Sequence, residues 1–348
     1  MNILFISGSL LKGGAERVTS KLCNHFASQG HNVHIACLLN SSVEYPLDQR
    51  VTIVDLTQTK RTLFSLIKWV SRLKKHIQSF KPDIIISFAG RVNLVALLAS
   101  KKNSVIVSER NDPRYDNRGK LALLACKRLY KRKAKKIVFQ TKEVQTLFSK
   151  KVIEKSVIIA NPITKPLAIK TDYSTNNSII MVGRLDEQKN YKLALEAFSK
   201  IKQKYNNLSL NIYGVGNQKD VLVDFAKSRG IEHNVVFHGL CDDIKTKLVD
   251  SSVFLLTSKY EGLSNALMEA MSVGVPCIST PVSGSNEIIE NNVNGVLLPD
   301  FNVESVINAL DMLLKSKETR EKIGKKAISS MNKFEDGQIY NLWDSILN

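Results

Sequence analysis

The stretch Val253-Phe-Leu-Leu-Thr-Ser-Lys-Tyr-Glu261-Gly-Leu-Ser-Asn-Ala-Leu-Met-Glu269-Ala-Met-Ser-Val-Gly274-Val-Pro276-Cys-Ile-Ser-Thr280 reads as strand, turn, helix and strand. Val253–Leu256 is an unbroken apolar run, the pattern of a strand buried on both faces. Gly262 marks the turn, and Ser264 or Asn265 offers a side-chain oxygen to cap the helix that follows. Gly274 ends that helix, Pro276 lies just beyond it, and Cys277–Thr280 is the next strand. A helix start presents free N–H groups and a positive dipole end, a site suited to a diphosphate. Glu261 precedes the helix and Glu269 lies within it. Two carboxylates beside an anion site suit a ligand that carries hydroxyls next to its phosphates. Taken alone, the same residues also describe an ordinary capped helix with two surface glutamates.

Outward from this unit the alternation continues. Ser178–Val182, Leu208–Tyr213 and Val235–His238 read as strands, and Leu193–Tyr205 and Val221–Ser228 as helices. The first half repeats the pattern. Strands are expected at Asn2–Ser7, Val33–Leu38, Val51–Leu56, Asp83–Phe88 and Val105–Ser108, with helices at Ala15–Gln29 and Leu63–Phe80. Strands alternating with helices imply parallel sheets covered on both faces. Between the halves, Asn161-Pro-Ile-Thr-Lys-Pro and Tyr173-Ser-Thr-Asn-Asn-Ser are polar and non-periodic, as a linker is. The chain is α/β: two doubly wound, Rossmann-like domains, 1–160 and 161–335, facing across a cleft. The last helix, Asp336–Leu347, is expected to rejoin the first domain. At 348 residues the chain is long enough for two cores.

Such sheets bind ligands beyond the carboxyl ends of their strands. Gly183-Arg-Leu-Asp-Glu-Gln-Lys-Asn190 follows the strand Ser178–Val182 there. Arg184 offers a bidentate fork to phosphate and Lys189 a point charge; the alternative is a solvated charged loop. Gly13-Gly14 opens the first helix of the chain, where glycine lets backbone approach a phosphate. The spacing is neither that of a dinucleotide fingerprint nor that of a P-loop. Gly214-Val-Gly216, after the strand Leu208–Tyr213, is a weaker signal of the same kind.

In this order the motifs resemble glycosyltransferase family 4, which has the GT-B fold and retains anomeric configuration. The match is carried by Gly13-Gly14-Ala-Glu-Arg, Gly183 through Asn190, Gly214-Val-Gly216, Phe237-His-Gly239, Glu261 through Glu269, Gly274-Val-Pro276 and Val282-Ser-Gly-Ser-Asn-Glu287 through Gly295. The resemblance implies that Arg184 and Lys189 clamp the donor diphosphate and that Glu261 holds the donor sugar, making these three the catalytic candidates. It places Gly14, Gly183, Gly214, Asp243, Ile244, Leu263, Ser264, Asn265 and Glu269 at the donor, with Glu269 on the ribose and the base near Cys241–Ile244. The chain departs from the common family pattern at Leu263-Ser264, where Phe-Gly is frequent. The donor implied is a UDP-sugar carrying a hexose or N-acetylhexosamine, with no cofactor. No metal is expected either: Asp242 and Asp243 are adjacent, not spaced as D-x-D, and the cations substitute.

The net charge of +18 points to a polyanionic partner. Arg118–Lys136 holds nine basic residues and no acid, beginning with the apolar Leu121–Ala125, and reads as one basic amphipathic helix. Such helices lie on anionic membranes; a solvated helix face is the alternative. It also resembles the helix that holds the lipid diphosphate in family members that extend polyprenyl-diphosphate-linked glycans. On that basis Arg128, Lys131, Arg132 and Lys135 would share one face toward such a lipid-linked glycan acceptor. Ser108-Glu109-Arg110-Asn111-Asp112-Pro113 ends a strand of the first domain; Glu109 would orient an acceptor hydroxyl and Arg110 an acceptor phosphate. The expected protein is cytoplasmic, attached peripherally to the inner face of the cell membrane, and acts in surface polysaccharide biosynthesis. Its five scattered cysteines show no metal-ligand spacing and fit a reducing compartment. Two rivals are a nonhydrolysing sugar-nucleotide epimerase on the same fold and a basic nucleic-acid-binding protein. No recognised nucleic-acid motif is present, so nucleic acid is not an expected partner.

Overall fold

Seven parallel strands form the first sheet: β1 (Asn2–Ser7), β2 (Asn32–Cys37), β3 (Thr52–Asp55), β4 (Ile84–Phe88), β5 (Val105–Ser108), β6 (Ala134–Phe139) and β7 (Ser156–Ile158). Their order is β3-β2-β1-β4-β5-β6-β7. Six more, β8 (Ser178–Val182), β9 (Ser209–Tyr213), β10 (Val235–Gly239), β11 (Val253–Leu256), β12 (Cys277–Ser279) and β13 (Val296–Leu297), form the second sheet in the order β10-β9-β8-β11-β12-β13. This computed structural model describes every residue except 12, 58–64, 103, 116–118, 175–176, 206 and 348. The expected helix start at Leu63 and the first basic residue, Arg118, lie outside the described residues.

Two compact units result: Met1–Pro162 with Gly337–Asn348, and Ile163–Asp336. In the first, the final helix Asp336–Leu347 buries Trp343 against Phe88, ring centroids 5.8 Å apart, and its Asp344 pairs with His25 at 3.0 Å. In the second, the fully buried Arg320 replaces an ion pair with carbonyls. It donates to Tyr173 O at 2.8 and 3.0 Å and to Leu313 O and Leu314 O at 2.6 and 2.8 Å.

The central strands are apolar without alternation because helices cover both faces; β4 and β5 are buried at every position. In each sheet the order reverses at a switch point, between β1 and β4 and between β8 and β11. There the first crossover helices part to opposite faces and leave the strand ends open. The helix Gly90–Ala99 escaped the sequence reading. It packs between the helices Ser65–Phe80 and Lys120–Lys133, so most of it is buried, around more than one face, and it has no apolar period to detect.

Candidate functional site

β8 and β11 are hydrogen-bonded neighbours, Val253 opposite Ile179 and Phe254 opposite Ile180. The loops that leave them, Gly183–Asn190 and Thr257–Ser264, therefore emerge side by side at the switch point. Lys259 N donates to Gln188 O at 2.8 Å, and Thr257 Oγ1 donates to the carbonyls of Lys189 and Asn190 at 3.1 Å each. Asn190 takes the left-handed conformation, φ 49°, at the start of the next helix.

This framing brings Lys189 onto Glu261. Their Nζ and Oε1 lie 2.5 Å apart, with side chains 13% and 10% exposed. Ser258 Oγ donates to the same carboxylate oxygen at 2.8 Å. Gln188 Nε2 donates to Glu261 Oε2 at 3.4 Å and to Tyr260 O at 2.9 Å. Arg184 extends into solvent, 68% exposed, held by Asp186 at 3.3 Å and by Gln188 Oε1, to which its Nη2 donates at 3.4 Å. Beneath them Tyr191 Oη donates to Gly183 O at 2.9 Å, and burial raises that phenol far above its usual range.

The helix Asn265–Ser272 opens beside this group. Ser264 is its N-cap, accepting from Leu267 N at 3.4 Å, and Leu263, Ser264 and Glu269 are all buried. The cap satisfies one of the free N–H groups and leaves the dipole end facing the turn. Gly262 is fixed from behind by the next helix, Ser283–Ile288. A Cβ on Gly284 would stand 1.9 Å from Gly262 O.

The glycines after β9 have the same kind of reason. A Cβ on Gly214 would stand 1.9 Å from Gly183 O, and one on Gly216 2.3 Å from Leu185 O. Only bare backbone lets this turn press against the loop that carries Arg184. Asp243 is on the surface and caps the helix Ile244–Val249, accepting from Thr246 Oγ1 at 2.6 Å and from Thr246 N at 3.4 Å. These bonds hold its carboxyl below the usual range. Ile244 is the first residue of that helix.

In the first unit, Gly14 begins the helix Gly14–Ser28 directly after the N-cap Gly13. Tyr45 Oη meets both Gly13 N, at 3.2 Å, and Gly13 O, at 3.1 Å. Glu109 is 2% exposed, at the end of β5, and accepts from the Tyr130 hydroxyl. Asn93 Nδ2 donates to Tyr130 Oη at 2.9 Å and to Ser108 O at 3.1 Å, and Ser87 Oγ donates to Asn93 Oδ1 at 2.8 Å. Buried polar groups need such partners. Here they tie the helix that carries Tyr130 to the ends of β4 and β5.

Arg110 stacks its guanidinium 4.6 Å from the Phe88 ring centroid and 5.8 Å from Trp343. Its Nη1 donates to Asn161 Oδ1 at 3.1 Å, and burial lowers it to about 9.

The basic segment is not one helix. The helix spans Lys120–Lys133, and from Ala134 the chain runs as β6 between β5 and β7. Lys135 therefore does not share the face of Arg128, Lys131 and Arg132. It lies on a strand, and its Nζ donates to Leu347 O at 2.8 Å. The reason is the run Ile137-Val-Phe139, which is fully buried and draws the two preceding lysines into the sheet. On the helix, Cys126 and Tyr130 face inward, while Arg128, Lys131 and Arg132 are exposed. Leu121 and Leu124, 85% and 53% exposed, continue that outer stripe. Among the described residues no helix is long and apolar enough to cross a membrane, and no cluster of three or more metal-ligating side chains occurs.

Two family models match the chain: "Glycosyl transferase 4-like" over residues 9–142 and "Glycosyl transferases group 1" over residues 166–330. An uncharacterized glycosyltransferase of Haemophilus influenzae is 27% identical, covering 96% of both chains. A Campylobacter jejuni protein is 26% identical over 99% of this chain and 97% of its own. It is named GalNAc-alpha-(1->4)-GalNAc-alpha-(1->3)-diNAcBac-PP-undecaprenol alpha-1,4-N-acetyl-D-galactosaminyltransferase. Among solved structures, Anabaena HepE in complex with UDP and glucose superposes with a TM-score of 0.86 at 18% identity, covering 100% of this chain and 99% of that one.

Proposed function

Because the chain belongs to the group 1 glycosyltransferases, family 4, with the GT-B fold and retaining chemistry, we propose that it transfers a hexose or N-acetylhexosamine from a UDP-sugar to a lipid-linked glycan. The observation that carries the donor half is the Lys189–Glu261 pair beside the capped start of Asn265–Ser272. It puts a cation, a carboxylate and a helix dipole at one switch point. In this reading Lys189 and Arg184 bind the diphosphate and stabilise the charge that develops on the departing nucleotide. Such electrostatic stabilisation is usually the largest catalytic contribution. Backbone at Leu263, Ser264 and Asn265 meets phosphate or sugar, Glu261 the sugar hydroxyls and Glu269 the ribose. Gly14 admits phosphate to the first unit's helix start. Gly183 and Gly214 shape the loop, and the base lies near Asp243 and Ile244, read through backbone because the Asp243 carboxylate is engaged as a cap. With two cations in place, no metal ion is needed.

On the acceptor side, Arg110 and the outer stripe Arg128, Lys131 and Arg132 receive the acceptor phosphates. The stripe, with Leu121 and Leu124 beside it, also rests on an anionic membrane surface. Glu109, bonded to Tyr130 of the basic helix, orients the acceptor hydroxyl. The name of the Campylobacter relative, which gives a polyprenyl-diphosphate-linked acceptor, supports this choice. The test is saturation-transfer NMR against a panel of UDP- and GDP-sugars, followed by transfer assays on lipid-linked acceptors. Saturation by no UDP-sugar would overturn the donor assignment, and product formation from donor alone would favour an epimerase instead.

A further inference from the structure

One side chain touches both loops of the donor region yet belongs to none of the roles above. Gln188 uses each end of its carboxamide on a partner of opposite polarity. Its Oε1 accepts from the cationic Arg184 (3.4 Å), while its Nε2 donates to the anionic Glu261 (3.4 Å) and to the Tyr260 carbonyl (2.9 Å). Its own carbonyl accepts from Lys259 N at 2.8 Å. A carboxamide presents an acceptor and a donor from one planar group. A glutamate here would face Glu261 and a carbonyl with acceptors only; an aliphatic side chain would meet none of these partners.

We propose that Gln188 is a positioning residue of the donor site: it holds Arg184 toward the diphosphate and orients the Glu261 carboxylate. Arg184 needs such a hold. Its side chain is 68% exposed, and besides Gln188 it meets Asp186 at 3.3 Å. A long, solvated side chain otherwise spends rotamer freedom each time it binds.

The inference rests on the donor-site reading, and UDP is the probe that separates the two. Calorimetric titration of the full-length enzyme with UDP would compare wild type, Q188L, R184A and the double variant, with thermal unfolding recorded for each. Q188L should weaken UDP about tenfold, the scale of a hydrogen bond to a charged group. In the R184A background the same change should add little, because Gln188 acts on UDP through Arg184. Equal weakening in both backgrounds, or UDP binding by Q188L as tight as by wild type, overturns the proposal and leaves the donor-site reading standing. Failure of the wild type to bind UDP overturns that reading and the proposal with it. If Q188L does not fold, Q188N keeps the carboxamide but draws it back by one methylene, and the same cycle decides.

Discussion

Lys189 Nζ and Glu261 Oε1 stand 2.5 Å apart, although 72 residues separate them in the chain. The pair joins the loops that leave β8 and β11, and both residues are candidates for contact with the donor. Donor binding then asks Lys189 to share its charge between Glu261 and a diphosphate. Ser258 and Gln188, which also donate to Glu261, keep the carboxylate satisfied during that exchange.

Lys189→Ala should therefore lose turnover while remaining folded. Removing one donor to a developing oxyanion costs about 10²–10³ in kcat. Lys189→Arg should recover little, because a planar fork does not replace a compact ammonium in a space bounded by Gly183, whose Cβ would lie 3.0 Å from Lys189 Cε. Glu261→Gln keeps the shape and removes the charge. It should weaken sugar-dependent steps more than UDP affinity. Steady-state transfer rates and UDP titration of the three variants check this; near-wild-type turnover in Lys189→Ala would remove the phosphate clamp.

The two cations also predict the response to chelation. On the proposed donor reading Arg184 and Lys189 take the place of a divalent ion, so EDTA should leave the transfer rate unchanged. Loss of turnover that Mg²⁺ restores would show that they are insufficient.

These residues differ in how far sequence alone could place them. The helix Asn265–Ser272 was legible because its cap Ser264, its terminating Gly274 and its flanking strands are all local signals. The Lys189–Glu261 contact was not, because it depends on β11 pairing with β8, a choice made by the whole sheet. Gly214 and Gly216 show a G-x-G spacing, but spacing does not reveal that a carbonyl of Gly183 or Leu185 fills the place of a side chain. At Lys135 local charge misled: a run of lysines hides the point where helical period gives way to the buried strand Ala134–Phe139. Glu109 could be placed at a strand end from sequence, but its partner Tyr130 lies on a helix whose docking only the fold reveals.

The correction at Lys135 makes the basic helix testable with an internal control. Each basic residue near an anionic surface is worth about 1 kcal/mol. Replacing Arg128, Lys131 and Arg132 together by Gln should thus weaken binding to vesicles containing phosphatidylglycerol by about 100-fold, with steep salt dependence. Lys135→Gln should leave vesicle binding intact and lower thermal stability instead, because its Nζ meets the Leu347 carbonyl at the end of the last helix. Vesicle cosedimentation of the two variants separates the roles; equal losses would place Lys135 back on the membrane face.

Stability should also respond to pH through a pair outside the donor region. His34 on β2 and His76 on the helix Ser65–Phe80 meet ring to ring, Nδ1 to Nε2 at 3.3 Å, with Phe80 stacked on His34 at 3.7 Å. Burial lowers both from their ordinary value near 6.5, and for His34 the neighbouring imidazole adds to the effect. Their shared contact requires at least one neutral ring, since two imidazolium ions have only donors to offer. In the unfolded chain both titrate normally and bind more protons than the native state as pH falls below about 6.5, so native stability is lost in that direction. The contribution is full above pH 6.5 and drops as acid reaches the lowered native values. Thermal unfolding between pH 7.5 and 5 should show a falling Tm whose slope shrinks in His76→Gln, which removes one titrating ring and keeps a polar donor. An unchanged slope in that variant would assign the acid sensitivity to other groups.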